Sequence, residues 1–457
     1  MKKSRFFALV LALCLTLALT PPARAVESYE ADARAALLVD VKTGEILYEK
    51  NIHTHNYPAS ITKIMTALLV LEAIDAGTLR YEDEVTAQES AFEGLSSDGS
   101  TAGIKAGETL TVDQLLHCML IVSANEACNI LAEAVSGSVS AFVTQMNSRA
   151  ESLGCEDTHF VNTSGLHSSD HYTSAWDIYL ITREVMEYDK FMEICNSKSY
   201  EVPATNLSKA RELHSTNYLI STWYTGWPGY YYEGARGIKT GSTPEAGRCL
   251  VSSAIRGDRE LVSVVLGADR VQQADGTWLT KSFSETARLF DHGFDDFASM
   301  DLLSPEELIQ EVPVELSSEA NYVVVHPSEG LRRMAPVGLA PEDFTRTVEL
   351  YQESVDAPVA EGDELGTITV SYGDTVYGTV PLLALNDVSA SWLLIKQREA
   401  REFIAQPWVR LAAVGVVALA VGIIALRAVS VSRAKRYSGA RRRGGYSYNG
   451  YRGKKKR

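Results

Sequence analysis

The hydrophobic pattern of the chain changes character several times from one end to the other. Residues Phe6 to Leu19 form an uncharged, largely apolar run. From Ala35 to Tyr48 the pattern reads as a β-hairpin, and helical stretches come next over Ile61–Ala73, Leu115–Ala134 and Val139–Leu153. Strand-like runs return at Cys249–Ala254 and Leu261–Leu266, and a further helix is predicted over Ser282–Asp291. Strands at both ends with helices between them predict a mixed sheet with a helical insertion, an α/β (α+β) domain over residues 26–297.

The pattern then changes period. Short runs at Val312–Leu316, Tyr322–Val325, Thr347–Leu350, Thr367–Val370 and Val376–Val380, separated by Gly, Pro and Asp, predict a small all-β domain over 298–388. Ser389 to Ala405 reads as a helix with Trp392, Ile395 and Phe403 on roughly one side, and 389–407 either lies on a membrane surface or leads into the next apolar run. That run, Leu411 to Leu426, extends sixteen residues without a charge. A bilayer needs about 20 residues, but Arg410 and Arg427 can snorkel and Trp408 can sit at the interface, so a span over 408–431 is expected.

Charge orients these pieces. Lys2, Lys3 and Arg5 precede the first apolar run and Ala23-Arg-Ala25 ends it, the form of a secretory signal cleaved after residue 25. Cys14 offers a lipoprotein alternative, but Leu13 stands where that site wants a small residue. The net charge of −15 conceals an asymmetry: residues 427–457 hold twelve bases and no acid, while 26–426 hold 27 bases against 58 acids. The positive-inside rule puts the basic tail, 432–457, in the cytoplasm, without folded structure and against anionic lipid. Its Arg, Gly and Tyr resemble a nucleic-acid-binding segment, but a topology anchor is preferred, and the acidic outer part would repel phosphates; no nucleic acid is expected as partner. Five cysteines remain after the signal, an odd number with no metal-ligand spacing, read as buried small hydrophobes.

Within this frame stand three short motifs: Ser60-Ile-Thr-Lys63, Ser123-Ala-Asn125 and Lys239-Thr-Gly241. A serine hydroxyl barely ionises at neutral pH and needs a positioned base. Ser60 and Lys63 are three residues apart in a helical segment, so ammonium and hydroxyl share a face. Lys63 must be neutral to take a proton; burial and a nearby cation, which Lys239 can supply, would lower its pKa. Strand alternation puts Lys239 and Gly241 on one face, with Gly241 leaving room for a substrate backbone. Alone, each motif is commonplace. Together, in this order, they predict a serine acyl-transfer site with lysine as base.

The motifs and their neighbours, among them Asp40-Val-Lys-Thr-Gly-Glu-Ile-Leu-Tyr48, Ser123-Ala-Asn-Glu-Ala127, Gly237-Ile-Lys-Thr-Gly-Ser-Thr243 and Ala357-Pro-Val-Ala-Glu-Gly-Asp-Glu-Leu-Gly366, resemble the low-molecular-mass penicillin-binding D-alanyl-D-alanine carboxypeptidases from about Ala33 to Val388. The resemblance implies a serine transpeptidase/β-lactamase-like catalytic domain acting on peptidoglycan stem peptides and inhibited by β-lactams. It implies that Ser60 attacks the carbonyl between the terminal D-alanines with Lys63 as base, and that Ser123 relays the proton to the leaving amine. Asn125 would bond Lys63 and the substrate amide. Lys239 and Thr240 would meet the terminal carboxylate, and the N–H groups of Ser60 and Ser242 would form the oxyanion hole. No metal or organic cofactor is required.

Some features depart from that pattern. Glu126 stands where the family commonly has Asp. His167 and His171 form an H-x-x-x-H without a third ligand nearby, so no metal is expected, and the loop segments Asn162–Leu166 and His171–Ala175 are given a structural role. The aromatic loop Trp223–Tyr232 either lines the cleft or packs locally. The segment Gly267–Trp278 leaves the identity of any carboxylate-binding arginine open. Competing functions are a β-lactamase, disfavoured by the β-domain and membrane span, a D,D-endopeptidase cutting cross-links, and a non-catalytic penicillin-sensing wall-binding protein.

Overall fold

The computed structural model describes residues 29–221 and 229–440, with side chains to 433. The signal segment, most of the aromatic loop and the end of the basic tail lie outside the described residues. The chain divides into two units, one of residues up to Met300 with Arg333–Leu339, the other Asp301–Arg332 with Ala340 onward. This differs from a single boundary at 297 in that the short segment 333–339 belongs to the first unit.

The first unit is built on a five-stranded antiparallel sheet of β1 (Ala35–Asp40), β2 (Ile46–Lys50), β3 (Ala235–Thr243), β4 (Gly247–Arg256) and β5 (Arg259–Ala268), in the order β2-β1-β5-β4-β3. All six residues of β1 are buried, because the sheet is covered on both faces. Alternation divides them: Ala35, Leu37 and Val39 enter one core, Ala36 and Leu38 the other.

Over the first of these cores lie the helices α1 (Lys63–Asp75), α2 (Val112–Ile121), α3 (Asn125–Ser136), α4 (Val139–Ser152), α5 (Ala175–Met186) and α6 (Asp189–Cys195). Every residue of α1 from Lys63 to Leu71 is buried. A helix apolar on all sides belongs in the middle of a core, and that is where α1 carries Lys63. The stretch expected to be helical over Leu115–Ala134 breaks between α2 and α3, with Ser123 in the break at φ +65°. The α5 and α6 helices have no counterpart in the hydrophobic reading of the chain. The second core is closed by α7 (Lys281–Asp295), whose buried Phe283, Thr286, Leu289, Phe290 and Gly293 recur at helical spacing.

The second unit holds a six-stranded sheet. Its strands are β6 (Gln310–Glu315), β7 (Tyr322–Pro327), β8 (Thr345–Leu350), β9 (Val355–Asp356), β10 (Glu364–Tyr372) and β11 (Thr375–Ala384), in the order β8-β10-β11-β7-β6-β9. Buried Val312, Val314, Val323 and Val325 alternate with more exposed neighbours, the mark of a sheet with one core face. The α8 helix (Trp392–Ala405) buries none of its residues. The α9 helix (Pro407–Ala440) is long and apolar enough over 407–433 to cross a membrane, and that stretch is unburied. It continues past 431, so residues 432–440, expected to be unfolded, are helical.

Candidate active site

Ser60 does not sit on a regular α-helix but on a 3-10 turn, Ala59–Thr62, that feeds directly into α1. The turn is tight: Ala59 has φ +47°, and its carbonyl oxygen lies only 1.7 Å from where a Cβ on Gly165 would be. Only glycine fits there. A hydrogen-bond chain anchors the turn from behind. Val161 N–H donates to His171 Nδ1 at 3.1 Å, His171 Nε2 then donates to Thr62 Oγ1 at 2.8 Å, and Thr62 donates to the Ala59 carbonyl at 2.9 Å. Burial, with His159, His167 and Lys63 nearby, pushes His171 down to about 4, keeping it neutral. The two histidines of the H-x-x-x-H therefore do not converge: His171 faces inward and His167 packs edge-on against Tyr57.

Lys63 is fully buried, and its ammonium makes three hydrogen bonds: to Ser60 Oγ at 2.9 Å, Asn125 Oδ1 at 2.8 Å and the Ser164 carbonyl at 2.8 Å. The Ser164 carbonyl is presented by Asn162, whose Oδ1 accepts from the N–H groups of Ser164, Gly165 and Leu166. None of the Lys63 partners is a carboxylate. Burial accordingly lowers its pKa, only partly opposed by Cys128 and Glu126.

Asn125 opens α3, and its N–H donates to the Ser100 carbonyl at 2.9 Å. Glu126, next to it, accepts from Thr101 Oγ1 at 2.6 Å and Ala102 N–H at 2.8 Å. The acid that departs from the family's usual Asp thus clamps the loop over Asn125. Ser123 is buried, and among the described residues its Oγ has no hydrogen-bond partner. A buried hydroxyl on a left-handed residue is thus left with unused hydrogen-bonding capacity beside Ser60.

The third motif lies on β3. Gly241 meets the Ser60 turn at close quarters, since a Cβ there would stand 2.9 Å from the Pro58 carbonyl oxygen and 3.2 Å from Ile61 N. The protein's own turn packs against Gly241, which also lines a hollow beside Ser60. Lys239 is 1% exposed, and its ammonium donates to its neighbour's carbonyl, Thr240 O, at 3.1 Å. Burial and the Lys63 charge push it down to about 7. Thr240 does reach the cleft, its hydroxyl 2.7 Å from that of Thr216.

Hollows open on either side of Ser60. One, of about 390 Å³, is lined by Ser123, Thr216, Thr240, Ser242, Arg248 and Arg270 among others. The other, of about 450 Å³, is lined by Asp98, Ser100, Asn125, His167 and Glu245 among others. Nothing in the sequence singles out Arg248 or Thr216. Arg270 falls in the segment where the arginine is left open; Arg248 carries no local signal and is found only because β4 returns beside β3.

The family described as D-alanyl-D-alanine carboxypeptidase, peptidase S11, matches residues 22–270, and the C-terminal domain of penicillin-binding protein 5 matches 297–390. The chain belongs to the D-alanyl-D-alanine carboxypeptidase family. Relatives include D-alanyl-D-alanine carboxypeptidase DacF of Bacillus subtilis (strain 168), 30% identical over 78% of this chain and 86% of its own length. Among solved structures, D-alanyl-D-alanine carboxypeptidase DacD of Francisella tularensis matches with a TM-score of 0.66 at 25% identity, covering 82% of this chain and 98% of its own. Penicillin-binding protein 5 of Haemophilus influenzae matches at 0.59 and 27%, covering 80% of this chain and all of its own. In this family the catalytic fold is that of a serine hydrolase, with the β-domain after it.

Proposed function

We propose that this chain is a membrane-anchored, serine-type D-alanyl-D-alanine carboxypeptidase that removes the terminal D-alanine from peptidoglycan pentapeptide stems. The observation that carries the reading is the contact of Ser60 Oγ with Lys63 Nζ at 2.9 Å, in which the amine is buried without an acid. A lysine so placed loses its proton readily and serves as general base.

Ser60 Oγ attacks the penultimate D-alanine carbonyl while its proton passes to Lys63. The oxyanion is held by the N–H groups of Ser60 and Ser242. Ser123 carries a proton to the nitrogen of the departing D-alanine as the peptide bond breaks. Asn125 fixes the Lys63 amine and meets the substrate amide. The terminal carboxylate lies toward Thr240, Thr216 and Arg270, with Gly241 setting the strand against the turn. Lys239 acts from beneath: its charge disfavours a proton on Lys63. Water then attacks the ester on Ser60, releasing the shortened stem, and β-lactams form the same ester but leave it slowly.

The domain limits support this reading: a signal over 1–25, a catalytic domain over 26–297, a β-domain over 298–388, a linker helix over 389–407 and a span over 408–431. The catalytic domain faces outward and the basic tail 432–457 lies in the cytoplasm against anionic lipid. The test is to incubate the full chain in detergent with a pentapeptide ending in D-Ala-D-Ala and measure free D-alanine. Release that disappears in Ser60→Ala upholds the proposal; release that persists in that variant refutes it.

A further inference from the structure

Ser60 stands on a turn that is strained where it begins. Ala59 takes φ +47°, a left-handed conformation that is unfavourable for a residue with a Cβ and persists only where its surroundings over-determine it. Much of that support comes from one loop, 159–173. Gly165 closes against the Ala59 carbonyl, and His171 reaches the same carbonyl through Thr62. The loop also holds the base. Its Ser164 carbonyl accepts from Lys63 at 2.8 Å, and one turn further along α1 its Thr163 carbonyl accepts from Thr66 Oγ1 at 2.6 Å.

The loop is itself fixed to the domain. Asn147 Oδ1 accepts from Phe160 N–H and its Nδ2 donates to the Phe160 carbonyl, each at 2.8 Å. Thr163 Oγ1 donates to Asn129 Oδ1 at 2.6 Å, and Asn56 and Thr173 exchange backbone hydrogen bonds. On this frame His171 is 2% exposed, with the Phe160 ring edge-on at 5.6 Å. Its two nitrogens have opposite duties, since Nδ1 accepts from Val161 N–H and Nε2 donates to Thr62. Only the neutral ring can do both. The titratable groups that face it, His159 and His167 from its own loop and Lys63 from α1, add to burial in keeping it neutral, and the Ala59–Thr62 turn brings no charge.

We propose that His171 is a positioning residue for acylation: acting through Thr62, it holds the Ala59–Thr62 turn so that Ser60 Oγ stays in register with Lys63 Nζ. Without that line the strained residue relaxes, and the nucleophile shifts against an amine that Asn125 and Ser164 still hold in place. A displacement of about 1 Å at a reacting atom costs on the order of 100-fold in rate. The duties are those of one donor and one acceptor, so a glutamine amide can take over both. This rests on the proposed acylation of Ser60 and adds to it a residue that lines neither hollow beside the nucleophile.

The experiment follows acylation of Ser60 by benzylpenicillin, by intact mass, in the full-length enzyme in detergent. A range of drug concentrations separates the dissociation constant from the first-order acylation rate. His171→Leu should lower that rate about 10- to 100-fold with the dissociation constant little changed, and His171→Gln should retain most of it. Thr62→Val breaks the same line one link on and should give a similar loss; it carries the test by itself if His171→Leu fails to fold. The double variant should be no slower than either single one, because each removes the same support. A purely structural role would instead shrink the fraction of chains that label and leave the remainder at the wild-type rate. That result, losses that multiply in the double variant, or a glutamine no better than leucine overturns the proposal. If wild type releases no D-alanine from a pentapeptide, the carboxypeptidase reading fails by itself, and the penicillin rates still decide the role of His171. A wild type that penicillin does not label overturns both.

Discussion

Partly or fully buried cations in the catalytic domain are handled in opposite ways. Arg211 is tucked against Glu108, whose side chain is fully buried and also accepts from Thr205 and Lys105 N–H. Burial alone would raise the Glu108 carboxyl, but those hydrogen bonds and the Arg211 charge hold it below its ordinary range. Lys63 and Lys239 are buried, yet among the described residues no carboxylate answers either ammonium, and both pKa values fall. The same loss of water therefore goes with a structural clamp where an acid is supplied and, in the proposed mechanism, with a proton acceptor where it is withheld. Placement of acids, more than depth, separates scaffold from chemistry in this domain.

The largest expected effect comes from removing the acid-free amine. Lys63→Ala should lower acylation of Ser60 roughly 10⁴-fold, measured as the rate of penicillin labelling, while thermal stability stays close to wild type. The paired region should respond the other way round. Arg211→Ala leaves Glu108 buried without its cation, which costs about 3 kcal/mol of stability in chemical denaturation and leaves the pH dependence of acylation where it was. A pH shift in that variant would mean that the two regions are not separate.

Lys239→Met tests whether the second lysine acts through the first. With Lys239 at about 7, acylation should climb as pH rises through neutrality, because the lysine pair must give up a proton before Lys63 can accept one. Removing the Lys239 charge lets Lys63 hold its proton more tightly, so the rising limb should move to higher pH and the rate at pH 7 should fall about tenfold. A limb that stays put assigns Lys239 no influence on the base.

The smallest effect concerns His171, depressed from an ordinary 6.5 to about 4. In that interval the unfolded chain binds the proton and the folded one does not, so stability falls as pH drops from 6.5 toward 4. His171→Gln should flatten that part of the stability profile, measured by chemical denaturation at each pH. An unchanged slope would show that the acid sensitivity lies elsewhere.

Much of this is legible in the chain. The three motifs fall together because each is a local pattern, and Ser60 and Asn125 both meet the one amine of Lys63 within 3 Å. The β-domain strands announce themselves through alternation with turns between. The features that stay hidden are set by tertiary contacts. The break that exposes Ser123 lies inside an apolar stretch that reads as one helix, and its left-handed residue is a serine without the usual glycine signal. Strand periodicity puts Lys239 and Gly241 on one face, and both are buried there, but it cannot reveal that a turn 180 residues earlier in the chain packs against Gly241. Arg248 sits beside Arg270 only because β4 and β5 pair in register, which no single-residue pattern encodes.

In the proposed mechanism Ser60 is acylated with Lys63 as a neutral base. The most direct test is the rate of penicillin labelling against pH, with the modified residue located by peptide mass mapping, in wild type and Lys63→Ala. A single adduct on Ser60, a rate that climbs with pH as Lys63 gives up its proton, and no adduct on that timescale in Lys63→Ala are expected. Labelling of Lys63→Ala at the wild-type rate, or an adduct on any residue other than Ser60, would contradict it.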